Sequence, residues 1–480
     1  MSQDGIYKKL VKQVWGKNRK KVNSRPKQKK IDRNSIEVIV EPKEDNKGEK
    51  MENSNQIEKD FEKVIGYEPI KLVLERILDM MRNRENYDKL GTKLPSGVLL
   101  SGEPGTGKTL FANSFIEASK LPVYLVRKDK PDGDFVKFIK QSFEDAKSNA
   151  PSIVFLDDMD KFANEDDYHS DAEEYVTIQS CIDDVKGYDV FVLATANNTR
   201  KLPDSLLRSG RFDKHIKVNA PTGKDATKIV EYYISQKNFV SDIDCEEVAK
   251  MLDGGSCAVL ETVINEASVL AGFEGKDKVE KEDLLRSAMC VIFKAPELAE
   301  KKPVEIVKKT AYHEAGHVVI AELLEPGSIS LVSVLGHDGP TQGVTAYYQD
   351  DDKYFSDIKY MKNRVRSLLA GKATTEIVYG EVDVGANNDI HRAIDITERF
   401  VDHYCGFGFD KFEFQNNSSN DLLSRKEMQV FTELEKYYQE TKKMLIDNRE
   451  FLDKVANQLV EKETLTCKDI KEIRESCKIV

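Results

Sequence analysis

Residues 313–317 read His-Glu-Ala-Gly-His, and about two hundred positions earlier the same 480-residue chain carries Gly102-Glu-Pro-Gly-Thr-Gly-Lys-Thr109. On an α-helix, His313 and His317 stand one turn apart on one face, so two imidazole nitrogens can meet a single zinc ion. Glu314 then reaches a water held by that ion and takes its proton as it attacks a carbonyl. The apolar run Val318-Val319-Ile320 buries the helix in part, which separates it from a surface helix that happens to carry two histidines. A catalytic zinc needs a third protein ligand. Position 323 is Leu rather than a further histidine, and spacing alone leaves Glu376, Asp383, Asp389 and His391 as rivals in one later stretch.

The second motif follows the apolar strand Val98-Leu99-Leu100 and leads into Leu110-Phe111-Ala112-Asn113, the setting of a phosphate-binding loop. Gly102, Gly105 and Gly107, with Pro104 and Thr106 between them, let backbone N–H groups converge on phosphate oxygens. Lys108 neutralises the outer phosphates and the Thr109 hydroxyl ligates magnesium, so the ligand is ATP with Mg2+. A second acidic station belongs at the end of a neighbouring buried strand. Ile153-Val154-Phe155-Leu156 ends in Asp157-Asp158, with Asp157 placed to hold magnesium through water and Asp158 to orient or deprotonate the attacking water.

The elements that must carry these groups change along the chain. From about Phe61 to Ala220, short apolar runs (97–100, 123–126, 153–156, 190–194) alternate with helical stretches, which predicts an α/β domain with a parallel sheet covered on both faces. Residues 221–293 read as all-helical, with Val248, Met251 and Leu252 and then Leu260, Val263 and Ile264 at helical spacing. After a linker at 294–302, residues 303–480 are mainly helical, with one strand-like interruption at 328–335 and 343–348.

The tail, residues 1–58, turns from basic to acidic. Ile6, Tyr7, Leu10, Val11, Val14 and Trp15 share a face on a helix over 5–17, opposite Lys8, Lys9 and Lys12, the pattern of a helix lying on an anionic membrane surface through residues 5–20. A helix docking on a protein partner, or a disordered arm, fits the same pattern. A net charge of −11 argues against a nucleic-acid binder. Seven scattered cysteines without a C-x-x-C pair suit a reducing compartment, and no stretch is long and apolar enough to span a bilayer. The expected location is the cytoplasm, peripheral to the inner face of the cell membrane if the tail binds lipid.

At this point the chain resembles the AAA superfamily, and within it the FtsH family of ATP-dependent zinc metalloproteases. The resemblance runs from Asp60-Phe-Glu-Lys-Val-Ile-Gly66 through Phe143-Glu-Asp-Ala-Lys147, Ala194-Thr-Ala-Asn197 and Leu206-Leu-Arg-Ser-Gly-Arg-Phe-Asp213 to the C-terminal helices. It implies an AAA domain over 59–220, a helical lid over 221–293 and a mainly α-helical zincin-type protease domain over 303–480. It also implies that Ile65 and Gly66 lie by the adenine, that Asn197 senses the γ-phosphate, and that Arg208 and Arg211 reach phosphates bound by a neighbouring subunit of a homohexameric ring. Asp389, in Gly385-Ala-Asn-Asn-Asp389-Ile, matches the third zinc ligand, and Gly343-Val-Thr345 matches the edge strand on which unfolded or damaged protein substrates lie.

Two departures matter. Asp158 stands where the family has Glu, one methylene further from its water, so hydrolysis is expected to be slow. The segment between Val126 and Phe143 is short and lacks the aromatic-hydrophobic-glycine step that grips substrate; Lys130-Pro-Asp-Gly133 occupies its place, and Phe135 and Phe138 are either gripping rings or core. Three functions follow: an ATP-driven zinc endopeptidase, an AAA remodelling or scaffold protein with little proteolysis, and a peptidase whose ATP site governs assembly. His169, His215 and His337 have no partner pattern and read as ordinary surface or core histidines.

Overall fold

In the computed structural model, residues 59–129, 131–163, 172–295, 302–335, 343–348, 358–381, 384–404, 406–408 and 420–480 are described. The tail with its helix at 5–17, Lys130, His169, His337, Asp383, Cys405 and most of the 294–302 linker lie outside them.

The first part of the chain runs α1 (Glu68–Arg82), α2 (Arg84–Asp88), β1 (Gly97–Ser101), α3 (Lys108–Ser119), β2 (Val123–Val126), α4 (Asp132–Ser148), β3 (Ser152–Leu156), α5 (Glu173–Asp184), β4 (Val190–Ala196) and β5 (Lys214–Lys217). The five strands form one parallel sheet in the order β2-β3-β4-β1-β5. Successive side chains of a strand face opposite ways, so each central strand feeds two cores. Val98, Leu100, Ile153, Phe155 and Leu193 pack with α1 and α3, while Leu99, Val154, Leu156, Val192 and Ala194 pack with α4 and α5. That two-sided burial is why β1, β3 and β4 read as unbroken apolar runs. β5, Lys-His-Ile-Lys, was not among the expected strands: it sits at the sheet edge and carries only one half-buried apolar residue, Ile216.

Four helices follow: α6 (Gly223–Ser235), α7 (Cys245–Met251), α8 (Cys257–Phe273) and α9 (Lys281–Val291). Each of the last three begins on a residue that caps it; Asp244 accepts the N–H groups of Glu246 and Glu247, Ser256 accepts that of Val259, and Glu280 with Asp283 forms a reciprocal box.

The last part runs α10 (Val304–Leu324), β6 (Ile329–Ser333), β7 (Val344–Tyr347), α11 (Ile358–Tyr379), α12 (Asn387–Glu398), α13 (Asn420–Asp447), α14 (Arg449–Lys462), β8 (Thr464–Thr466) and α15 (Cys467–Glu475). α10 is preceded by Pro303 at its N-cap and stops before Pro326-Gly327, and between Thr310 and Glu322 every residue except Tyr312 is buried. It packs against α11 and α14. Gly316 and Gly371 let α10 and α11 approach closely, since a Cβ on Gly316 would stand 2.8 Å from the Ala370 carbonyl. β7, β6 and β8 form an antiparallel sheet in that order. The third strand of this sheet, Thr-Leu-Thr, was not expected; three residues at a helix junction give no periodicity to read.

The helical segment and the antiparallel sheet share one apolar cluster. Leu331 of β6 lies in the core that also holds Leu260, Val263 and Met251, with Leu335, Val344 and Ala346 half-buried against it. Buried Thr466 donates its hydroxyl to buried Glu247 of α7, which also pairs with Lys281 at 2.8 Å. Among the described residues no helix is long and apolar enough to cross a membrane.

Candidate active site

The phosphate loop joins β1 to α3. Gly102, Gly105 and Gly107 adopt φ of 151°, 78° and 92°, backbone that a side chain resists. Lys108 is buried, and its ammonium donates to the carbonyls of Gly102 (2.9 Å) and Glu103 (2.7 Å). Burial lowers its pKa, against the pull of Asp158 and Asp160. The loop meets the four-helix segment at the start of α8, where the Ala258 N–H donates to the Gly105 carbonyl at 3.1 Å. Pro104 is exposed and Thr106 wholly buried. Ile65 packs on the core shared with α6 to α9; Gly66, at φ 70°, lies against Asp225 of α6, and the hydroxyl of the next residue, Tyr67, donates to the Asn219 carbonyl at 2.9 Å.

At the end of β3, Asp157 is 3% exposed and accepts the hydroxyls of Thr195 (2.8 Å) and Thr109 (3.3 Å), with the Arg127 guanidinium at 3.1 Å from its other oxygen. Asp158 takes φ 54°, ψ 48°, a left-handed conformation that a short acidic side chain tolerates better than a longer one. Its carboxylate accepts Asn197 Nδ2 at 3.1 Å and Lys161 Nζ at 2.7 Å. Thr195, Arg127 and Lys161 were missed in the sequence; Thr195 lies two residues before Asn197 on β4, while nothing local marks the two cations. Buried Asp160 fixes the turn by accepting the N–H groups of Asn197 and Asn198 at 2.8 and 3.2 Å. Arg211 is engaged within its own chain, by Gln179 (3.0 Å), the Ser205 carbonyl (2.6 Å) and Asp183 (2.7 Å). The exposed Arg208 side chain makes no hydrogen bond or ion pair among the described residues.

Of the two rings considered for gripping, Phe135 is wholly buried, edge-on to Phe162 at 5.0 Å, and so belongs to the core. Phe138 is half-buried against the same core, and Pro131 with the residues after it opens α4 rather than a free loop.

On α10, His313, Glu314 and His317 are 8%, 6% and 5% exposed. The two Nε2 atoms stand 3.2 Å apart, and Asp389 Oδ2, from the first turn of α12, lies 3.6 Å from that of His313 and 3.3 Å from that of His317. A tetrahedral ion about 2 Å from each donor requires donors about 3.3 Å apart, so these three atoms form a cradle of the right size for zinc. The tautomer also fits: His317 donates Nδ1–H to the Ser367 carbonyl at 2.7 Å, which leaves the Nε2 lone pair for a cation. Burial opposes charge on Asp389, but its bonds to His313 and His317 prevail and hold it well below the usual carboxylate range. Gly371 of α11 completes the cradle, since a Cβ there would come within 2.5 Å of His313 Nε2 and 2.7 Å of His317 Nε2. The rivals stand elsewhere. Glu376 is taken by Lys442 (2.9 Å), Tyr438 and Lys372 (3.5 Å), and His391 is exposed. His215 is exposed on β5.

Glu314 faces β7. Thr345 donates its hydroxyl to Glu314 Oε2 at 2.7 Å, and a Cβ on Gly343 would lie 2.6 Å from Oε1. Among the described strands β7 pairs on one side only, with β6, so among the described residues its other side is a sheet edge.

Comparison with known proteins agrees with both halves. The profile of the ATPase family associated with various cellular activities (AAA) matches residues 98–220, and that of peptidase family M41 matches residues 303–473. The ATP-dependent zinc metalloprotease FtsH 2 of Phytoplasma mali is 29% identical over 439 residues, covering 87% of this chain and 63% of its own length. FtsH of Caldicellulosiruptor bescii is 30% identical over 448 residues (86% of this chain, 71% of its own), and FtsH 2 of Thermoanaerobacter sp. is 30% identical over 435 (86% and 82%). One alignment thus spans most of a chain in which the phosphate loop and the histidine helix each fall inside the matching profile, and on that ground the chain belongs to the FtsH family of ATP-dependent zinc metalloproteases.

Proposed function

We propose that the protein is an ATP-dependent zinc endopeptidase that unfolds polypeptides and cleaves them inside a ring of identical subunits, hexameric as the family resemblance implies. The observation that carries this reading is the meeting of His313, His317 and Asp389 with Glu314 beside an open strand edge, in a chain that also holds a complete phosphate loop. An extended peptide adds to β7 through its backbone, largely without regard to sequence. His313, His317 and Asp389 would hold the zinc, which when bound would supply Lewis acidity to a water and to the peptide carbonyl. Glu314 takes the proton of the attacking water and delivers it to the leaving amine. The buried setting keeps bulk water from screening either step.

In the nucleotide pocket, Lys108 binds the outer phosphates, Thr109 and Asp157 hold magnesium, Asp158 orients the water, Asn197 senses the γ-phosphate, and Ile65 and Gly66 border the adenine. Arg208, exposed and without a side-chain hydrogen bond or ion pair among the described residues, is the better candidate of the two arginines to reach a neighbour's nucleotide. The domain assignments are 59–220, 221–293 and 303–480. For residues 5–20 the proposed partner is an anionic membrane surface, tested by flotation with anionic liposomes.

A second reading, in which ATP controls assembly rather than translocation, draws on burial of Phe135 and on the short Asp158. Casein degradation with and without ATP, beside Glu314→Gln and a zinc assay, separates them. The first reading expects about one zinc per subunit and ATP-dependent cleavage that Glu314→Gln abolishes without loss of metal. Cleavage by the assembled protein that ignores ATP favours the second, and ATPase activity without any cleavage leaves a remodelling protein.

A further inference from the structure

The strand that would receive the substrate is tied by its side chains to the catalytic groups behind it. Thr345 and Tyr347 are two apart on β7, so both point to the same face. Thr345 donates to Glu314 Oε2 at 2.7 Å, and the Tyr347 hydroxyl is 2.8 Å from Ser367 Oγ, on the residue whose carbonyl fixes the His317 tautomer. A bulge in β6 between Ile329 and Leu331 falls opposite Ala346 and Tyr347 and leaves the alternation of β7 intact.

The backbone of the same residues faces the other way. Tyr348 sends its N–H inward to the Ser328 carbonyl at 2.7 Å, and Ala346 and Val344 pair inward with Leu331 and Ser333. Alternation then turns the N–H and C=O groups of Thr345 and Tyr347 toward the open edge. Thr345 therefore meets an incoming peptide through its backbone and Glu314 through its hydroxyl.

We infer that Thr345 is a positioning residue for Glu314: its hydroxyl fixes the carboxylate at a set distance from the strand that holds the scissile peptide. A glutamate side chain has three rotatable bonds, and Gly343, which lies against Oε1, brings no side chain to orient it. The Thr345 hydroxyl thus supplies the directional contact that aligns Oε2, and docking a peptide on β7 aligns substrate and base through one residue. The inference rests on the endopeptidase reading given above.

The test uses the full-length protein with a fluorogenic peptide, ATP and Mg2+. Thr345→Val keeps shape and backbone pairing but removes the donor, while Thr345→Ser keeps the donor. The expected result for Thr345→Val is a fall in kcat of about 10- to 100-fold with KM within about twofold, the size of a misaligned general base. Thr345→Ser should return kcat to within about threefold of wild type. Zinc content should match wild type in both, and in a Glu314→Gln background Thr345→Val should leave peptide affinity by fluorescence anisotropy unchanged. The inference is overturned by Thr345→Val with undiminished kcat, by Thr345→Ser as impaired as Thr345→Val, or by a loss confined to KM or accompanied by loss of zinc. If wild type itself shows no Glu314-dependent cleavage, it is the endopeptidase reading that has failed.

Discussion

The two sites of this chain are built on opposite plans. The nucleotide pocket gathers groups from loops at the ends of β1, β3 and β4, from the turn after β2 and from the start of α8, and several are exposed: Pro104 and Thr109 lie at the surface, and the Arg127 and Lys161 side chains are 60% and 62% exposed where they meet Asp157 and Asp158. The metal site takes its donors from two helices, with a third helix closing it, and both histidines are buried. Loops allow groups to rearrange around a large ligand that binds and leaves each cycle. Helices packed on a core hold a small ion at fixed distances. Tolerance to substitution should differ accordingly.

Gly371→Ala tests the rigid site most severely. The added methyl would meet both imidazoles, so zinc affinity should fall by about 10- to 100-fold while nucleotide binding holds. Metal analysis after dialysis against a weak chelator measures it; full zinc retention would show that α10 and α11 move apart easily and that the contrast is false. Asp158→Glu probes the adaptable site. The longer carboxylate reaches further toward the water, and ATP turnover should rise by about three- to tenfold without change in zinc content. Unchanged turnover would mean that the length of this side chain does not limit hydrolysis.

The smallest effect is expected at Glu376, the rival that Lys442 and Tyr438 claim. Its pKa is depressed to about 2, first by those two partners, so its contribution to stability is present above the ordinary carboxylate pKa and lost as pH falls from about 4.5 to about 2. Glu376→Gln should cost about 0.5 kcal/mol at pH 7, less at pH 3, and no zinc, because the pair is partly exposed. Thermal melts at the two pH values with a zinc assay decide it, and loss of metal would restore Glu376 as a ligand.

What was legible in the sequence follows from the range of the physics involved. β1, β3 and β4 announce themselves because a strand buried on both faces must be apolar throughout, whereas β2, at a sheet edge with Val123 and Leu125 exposed, shows only as a short run of strand-favouring residues. Two histidines one turn apart, and glycines around a lysine, are local patterns. Asp389 was reachable only through family resemblance, since its place beside the imidazoles depends on how α12 meets α10. Ser367, Gly371 and the Thr345 hydroxyl carry no local mark at all, because their roles exist only where α11 and β7 cross the histidine helix. β5 and β8 failed for a different reason: an edge strand with one half-buried apolar side chain, and a strand of three residues, lack the pattern that the others display.

The cluster that places Leu331 among the side chains of α7 and α8, sealed by Thr466 on Glu247, has a thermodynamic corollary. Melting either partner exposes the apolar surface of the other, so the shared cluster couples their free energies of unfolding. A calorimetric scan should show the helices α6 to α9 and the sheet β7-β6-β8 leaving the native state in one endotherm, despite their separate stretches of sequence.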